Sequence, residues 1–207
     1  MKLFYSPGAC SLAPHIVARE AGIDIELEKV DLASKQTAGG NDYLSANPKG
    51  YVPALLLDDG ELLTEGPVIS QYLADRVPAS SLVPAWGSRE RYRLLSWLGY
   101  INSELHKTYS PLFRKDTPDE VRAERHAYLA RRYALIESQL SQQPWLGGEH
   151  FSIADSYLFV VSNWAGMVGV DLSAFPQLQA FQARVAQRPA VIAALRAEGL
   201  LREPATA

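Results

Sequence analysis

Residues 3–28 read LFYSPGACSLAPHIVAREAGIDIELE, and the succession of patterns along them decides the fold. Leu3, Phe4 and Tyr5 form a short apolar run stopped by Ser6-Pro7-Gly8, which reads as a buried strand entering a turn. The helix that follows puts Leu12, Ile16 and Val17 on one face and Arg19 and Glu20 on the other, with Gly22 as its stop. Ile23, Ile25 and Leu27 then alternate with Asp24, Glu26 and Glu28, a half-buried strand by period. Strand, helix and strand in so short a stretch predict two parallel strands joined by a right-handed crossover.

Further along, Ser34 to Asn47 is polar and Asn47-Pro48-Lys49-Gly50 is a turn cluster. Val52-Pro53 leads into Ala54-Leu55-Leu56-Leu57, then Asp58-Asp59-Gly60, then Glu61-Leu62-Leu63, two apolar runs around Asp-Gly that predict a hairpin. Glu65-Gly66-Pro67 opens a helix with Val68, Ile69, Tyr72 and Leu73 on one face and proline in its first turn. Residues 1–78 therefore read β-α-β-(α)-β-β-α, a thioredoxin-like α/β domain. Past Val77-Pro78 no strand pattern returns. Leu94, Leu98, Ile101 and Leu105 repeat at helical spacing along a helix from Ser88 to about Tyr109. Thr117-Pro118-Asp119-Glu120 predicts a capping box opening a helix to about Gln142, and Ser152-Ile153-Ala154-Asp155 predicts a second box. Helical patterns recur around Leu178, Phe181 and Val185, and from Val191 to Glu198 with Gly199 as the stop. Residues 86–201 are expected to form an all-α domain.

The chain has 207 residues, enough for one domain or two small ones. Twenty Lys and Arg stand against 23 Asp and Glu, so there is no basic excess of the kind a nucleic-acid binder carries. The lone cysteine, Cys10, excludes an internal disulfide and every multi-cysteine metal motif, and it suits a reducing compartment. His15, His126 and His150 have no ligand spacing and HExxH is absent, so no metal is expected. The uncharged run Ser156–Val170 is too short and too polar to cross a bilayer and predicts a buried core helix. The first residues are broken by Ser6, Pro7, Gly8 and Pro14 and lack the apolar stretch of a signal peptide. A soluble, cytoplasmic protein is expected.

Four places can carry chemistry. Cys10 stands where a helix begins, and the free amides and dipole there favour a thiolate; a small buried cysteine is the other reading. A cis Val52-Pro53 bond would present the Val52 backbone to an extended peptide ligand, although the residues alone favour an ordinary trans proline at a strand start. The Gly66 amide can bind a carboxylate and Glu65 an ammonium, which suits the zwitterionic end of an amino acid; a plain cap is the alternative. Ser96, Gly99, Ser103 and His106 make a second stripe on the Ser88–Tyr109 helix, either a cleft lining or a solvated face. His106-Lys107 within it offers a proton acceptor and a positive charge.

Taken together, these residues resemble a bacterial beta-class glutathione S-transferase over essentially the whole chain. The resemblance rests on Met1-Lys2-Leu3-Phe4-Tyr5 with Pro7-Gly8-Ala9-Cys10-Ser11-Leu12, and on Asn47-Pro48-Lys49-Gly50 with Val52-Pro53-Ala54-Leu55. Asp58-Asp59-Gly60 with Leu63-Thr64-Glu65-Gly66, Glu104-Leu105-His106-Lys107, Pro111-Leu112-Phe113 and Ser152-Ile153-Ala154-Asp155 with Tyr157-Leu158-Phe159 complete it. It implies the glutathione S-transferase fold, a homodimer, glutathione as co-substrate bound between the domains, and no metal. Cys10 would lie beside the glutathione sulfur and can form a mixed disulfide with it, with His106 as polar neighbour. Lys35 would meet the glycyl carboxylate, and Val52, before a cis Pro53, would pair with the cysteinyl backbone. Glu65 and Gly66 would hold the γ-glutamyl end, with Ser103 and Glu104 reaching in from the helical domain. Tyr5 and Ser11 rank second, at places where other classes keep a catalytic hydroxyl.

The implied activity is attack of a glutathione thiolate on an apolar electrophile, a detoxification reaction. A thiol–disulfide reductase or reductive dehalogenase working through a Cys10–glutathione disulfide, and a non-catalytic binder of hydrophobic compounds, are the alternatives. One departure stands out: related sequences carry an Asn that contacts glutathione where this chain has Gly99. Trp97, Tyr109, Phe113, Trp164 and Met167 are expected to be mostly core rather than walls of a second-substrate site.

Overall fold

Leu3, Phe4 and Tyr5 are all buried in the first strand, β1 (Lys2–Tyr5), which explains a continuous apolar run in place of an alternating one. The computed structural model describes residues 1–201. Helix α1 (Leu12–Glu20) carries the chain from β1 to β2 (Glu26–Asp31), which runs parallel to β1 with Leu3 opposite Leu27. β2 starts three residues later than its alternation suggests. The Ile23 amide still bonds back to the Ala18 carbonyl at 2.9 Å, so Ile23–Ile25 serve to leave the helix rather than to pair. The polar stretch holds a two-residue strand, β3 (Gln36–Thr37), and one helical turn, α2 (Tyr43–Ala46). Asp42 caps that turn by accepting from the Leu44 amide at 2.9 Å. The expected hairpin is β4 (Ala54–Leu56) with β5 (Leu62–Thr64), followed by α3 (Gly66–Asp75). The sheet order is β3-β2-β1-β4-β5, and every pairing except β1 with β2 is antiparallel.

Phe4, Val30, Tyr43, Val52 and Ala54 form one buried cluster of this sheet. Leu3, Ile16, Leu55, Ile69 and Leu73 are fully buried as α1 packs against α3. Each such side chain contributes about 1.5–3 kcal/mol by leaving water.

The helical part comprises α4 (Arg89–Tyr100), a π-helical turn over Ile101–His106, α5 (Lys107–Tyr109), a 3-10 turn over Ser110–Phe113, and α6 (Asp119–Gln142). After these come α7 (Ile153–Asn163), α8 (Ala165–Val168) and α9 (Pro176–Ala186). The expected apolar stripe is all buried: Leu94, Leu98, Ile101 and Leu105. The Ser152–Asp155 box forms at α7, whose residues are buried from Ile153 to Ser162. The Thr117 box does not form. The Thr117 hydroxyl donates instead to the Pro111 carbonyl at 2.5 Å, which leaves Pro118 to precede the helix without a side-chain cap. No helix among the described residues is long and apolar enough to cross a membrane.

The last helix, α10 (Pro189–Ala197), departs from the sequence expectation. The described residues divide into two compact units, residues 1–82 together with 187–201, and Val83–Ala186. The division 1–78 and 86–201 therefore assigns α10 to the other part. It packs on α1, with Val191 and Ala194 fully buried. Arg188, just before it, binds Glu20 at the end of α1 through two hydrogen bonds of 2.6 and 2.8 Å.

Candidate functional site

In the first unit the site residues cluster where β1 ends and where β4 and α3 begin. Gly8 adopts φ +71, a conformation in which a Cβ is penalised. Ser11, fully buried, secures this turn: its hydroxyl accepts from the Ser6 amide at 3.2 Å and donates to the Ser6 carbonyl at 3.3 Å. Glu198, just past α10, accepts from the Gly8 amide at 3.0 Å and pairs with His15 Nδ1 at 2.9 Å, both side chains having no exposure. Arg19 Nε can only donate, so at 3.5 Å it makes His15 Nε2 the acceptor and leaves Nδ1 to donate to Glu198.

This turn presents Cys10, partly exposed and two residues ahead of the first residue of α1. Its thiol donates to the Val52 carbonyl at 3.1 Å. The Val52-Pro53 peptide is cis, against the trans form that the residues alone favour. The backbone just before it is clamped, because Tyr43 Oη donates to the Tyr51 carbonyl at 2.6 Å and Asn47 Nδ2 donates to the same oxygen at 2.9 Å. Gly66 opens α3 beside Pro53; a Cβ built on it would lie 3.5 Å from the proline ring. Glu65, ahead of it, has φ +70 and ψ 114, a region L-residues avoid and one that tends to persist where function demands it. Its carboxylate accepts from Lys49 Nζ at 3.0 Å, and Lys49 also reaches the Thr64 hydroxyl at 2.8 Å. Lys35, also at positive φ, donates from Nζ to the Gly50 carbonyl at 2.9 Å. A connected set of contacts thus joins Cys10 to Val52, Pro53 and Gly66, and Glu65 to Lys49.

Tyr5 and Ser11 have a different character. Tyr5 is buried, and desolvation first, then the nearby Glu198 and Glu28 carboxylates, raise its phenol above the ordinary value, so it stays protonated near neutrality. Ser11 is engaged with Ser6.

In the helical unit, His106, Ser103 and Glu104 all lie on the π-helical turn, an irregularity that often marks functional sites. His106 Nδ1 meets Tyr157 Oη at 2.6 Å, and its ring packs edge-on against Trp164 with centroids 4.9 Å apart. Tyr157 Oη donates to Asn102 Oδ1 at 3.1 Å. Glu104 accepts from Ser103 Oγ at 3.1 Å and from Tyr128 Oη, and it forms an ion pair with Arg132, whose Nε lies 3.2 Å away. The Tyr128 hydrogen bond, above all, holds its carboxyl below the ordinary range. Ser96, Gly99 and Ser103 are exposed, so the second stripe stands clear of the apolar face. Tyr109 and Trp164 are core, as expected, whereas Phe113 and Met167 are 48% and 67% exposed.

The chain matches the N-terminal domain of glutathione S-transferases over residues 8–76 and their C-terminal domain over residues 100–189. It is 51% identical to Glutathione S-transferase GstA of Escherichia coli O157:H7, an alignment covering 97% of this chain and 100% of the relative. The chain belongs to the glutathione S-transferase family. Among solved structures of that family it resembles a ternary complex of BphK, a bacterial enzyme, with a TM-score of 0.95 and 58% identity over 97% of this chain and 100% of the other. A sphingomonad glutathione S-transferase complexed with glutathione matches with a TM-score of 0.93 and 52% identity, over the same shares. The N-terminal family match spans Cys10 to Gly66, and the C-terminal match spans Ser103 to His106. Among the described residues no group of three or more His, Cys, Asp or Glu is placed to hold a metal.

Sequence reasoning did not single out the hydrogen-bond partners of these candidate residues: Lys49 and the Tyr43–Asn47 clamp in the first unit, Asn102 and Tyr157 in the second. Tyr157 sits in an apolar helix pattern, where a phenol is indistinguishable from core until its hydroxyl partner is known.

Proposed function

We propose that the protein is a beta-class glutathione S-transferase that joins the glutathione sulfur to an electrophilic carbon of an apolar compound. The observation that carries this reading is the Cys10 thiol at 3.1 Å from the Val52 carbonyl, partly exposed ahead of α1. A peptide thiol laid along Val52 would bring its sulfur to Cys10. In this scheme the Val52 backbone pairs with the cysteinyl residue, and Lys35 meets the glycyl carboxylate. Glu65 and the amide of Gly66 hold the zwitterionic γ-glutamyl end, where a helix start favours an anion. Lys49, paired with Glu65, keeps that carboxylate oriented. Ser103 and Glu104 assist from the helical unit.

The sulfur reacts as a thiolate. A proton acceptor on His106, with the partial positive charge at the head of α1, raises the thiolate's share near neutrality. Its lone pair then forms the carbon–sulfur bond as the leaving group departs with the bonding electrons. Tyr5 and Ser11 support the turn, given their burial and partners. Phe113 and Met167, the exposed members of the aromatic and sulfur-bearing set, are assigned to the electrophile. A homodimer, a cytoplasmic location and a role in detoxification complete the proposal.

The test is glutathione conjugation of a chloronitroaromatic compound, measured above the uncatalysed rate, in the wild type and in Cys10→Ala. A clear wild-type rate supports conjugation, and a rate that survives in Cys10→Ala makes Cys10 a neighbour of the sulfur rather than a covalent partner. No conjugation, with glutathione-dependent disulfide reduction that vanishes in Cys10→Ala, would replace this proposal with redox chemistry. Light scattering that shows a monomer at assay concentration would refute the dimer.

A further inference from the structure

We propose that Tyr157 and Asn102 are positioning residues that fix the tautomer of His106 and so decide which ring nitrogen is basic. A tyrosine hydroxyl has one proton to give. The Tyr157 proton goes to Asn102 Oδ1 at 3.1 Å. Toward His106 Nδ1, 2.6 Å away, the same oxygen can then act only as acceptor, so Nδ1 carries the hydrogen. In a neutral imidazole with a protonated Nδ1, the lone pair is on Nε2. Tyr157 is 3% exposed, so its own hydroxyl is buried between two half-buried partners, His106 and Asn102. The edge-on packing of His106 against Trp164 and Tyr157, with centroids 4.9 and 5.8 Å apart, holds the ring plane. Asn102 and His106 lie on the same π-helical turn, so the irregularity in the helix carries both ends of the arrangement while α7 supplies its centre.

The consequence for the reaction rests on the assignment of His106 to the glutathione sulfur. When the thiol gives up its proton, the S–H bond breaks with the electron pair left on sulfur and the proton passes to Nε2. The imidazolium so formed keeps its Nδ1–H on Tyr157, so the hydrogen bond present before the transfer also serves after it. With the opposite tautomer Nε2 would already bear hydrogen and could not take the proton. Asn102, Tyr157 and His106 thus stand to one another as an orienting acceptor, a relay and a base, and only the last would touch substrate.

Nitrogen-15 spectra of the histidine side chains at pH 8 read the tautomer directly, without substrate. The wild type is expected to show His106 protonated at Nδ1 and bare at Nε2. Asn102→Leu removes the acceptor and lets Tyr157 donate to Nδ1, so the signal should move to the Nε2-protonated form and kcat/KM for conjugation should fall about tenfold. The glutathione dissociation constant should stay within twofold. Asn102→Asp keeps an acceptor facing Tyr157, so it should recover the wild-type tautomer and most of the lost rate. Tyr157→Phe should give a mixture of tautomers and an intermediate rate. A wild-type ring protonated at Nε2, or an unchanged tautomer in both Asn102→Leu and Tyr157→Phe, would overturn the proposal. His106→Ala separates the two levels. Full activity in that variant would refute the assignment of His106 to the sulfur, whereas the spectra alone decide whether Tyr157 and Asn102 set its tautomer.

Discussion

Asp155→Ala is expected to destabilise the protein strongly, and more in acid than near neutrality. The Asp155 side chain is fully buried and accepts from the Leu146 amide at 2.8 Å, the Ser152 amide at 2.9 Å and the Ser152 hydroxyl at 2.6 Å. Its removal strands two buried amides, each costing about 1–3 kcal/mol when left without a partner, while the hydroxyl can rotate elsewhere. The expected loss at pH 7.5 is about 4 kcal/mol, a large share of the 5–15 kcal/mol (roughly) that holds a typical native state together. Desolvation pushes the Asp155 carboxyl up to about 6, overcoming the downward pull of its donors. Because the native state binds this proton more tightly than the unfolded chain, whose value is near 3.8, the wild type loses stability as pH rises from 3.8 to about 6. Alanine lacks that dependence. The penalty should therefore be greater at pH 5.0 than at pH 7.5, by about 1 kcal/mol from the linkage relation. Urea unfolding followed by tryptophan fluorescence at the two pH values measures both quantities, and Asp155→Asn, which keeps one acceptor, should lie between wild type and alanine. A loss under about 1 kcal/mol at pH 7.5, where two stranded amides should cost more, or a penalty that shrinks at pH 5.0, would refute the reasoning.

Three further outcomes are expected. Gly99→Asn should tighten glutathione binding several-fold by calorimetry, since a Cβ at this position meets nothing within 4 Å and the amide would restore the contact that the family resemblance implies; unchanged affinity would dismiss Gly99 as a determinant. Glu198→Ala strands the Gly8 amide and the buried His15, so it should cost about 3 kcal/mol in urea titrations and quicken Cys10 alkylation as the turn loosens. Asn47→Ala, which loses bonds to the Tyr43 hydroxyl and the Tyr51 carbonyl, should raise KM for glutathione and cost about 2 kcal/mol; an unchanged KM would separate the clamp from binding.

Much of the fold was legible because its signals are local. The apolar run Leu3–Tyr5, the Asp58-Asp59-Gly60 hairpin and the Ser152–Asp155 box each depend on a few adjacent residues, and each formed. What escaped depended on partners distant in sequence. β3 has only two residues, too few for any period, and exists because Val30 and Asp31 pair with it. Thr117 fits a capping box on its own, but the Pro111 carbonyl captured its hydroxyl. α10 has an ordinary amphipathic pattern that does not say which unit its apolar face covers. The site divides in the same way. Cys10 and Gly66 stand out as candidates from their places at helix starts, whereas Tyr157 and Asn102 are brought together by a hydrogen bond spanning 55 residues that no local pattern announces.

The placement of α10 and Glu198 bears on the order in which the molecule is made. Synthesis proceeds from the N-terminus, and domains generally fold as units. Here the thioredoxin-like unit is interrupted, its first segment ending at Leu82 and its second starting at Gln187. The helical unit, Val83–Ala186, is continuous and is complete on the ribosome before its predecessor has its last parts. The first-made segment must wait through the synthesis of the entire helical unit for the helix that covers α1 and for the carboxylate that ties down Gly8 and His15. The turn that carries Cys10 therefore gains its Glu198 contact only after the helical unit has been made, so a product that stops within that unit would have no Glu198 to lock it.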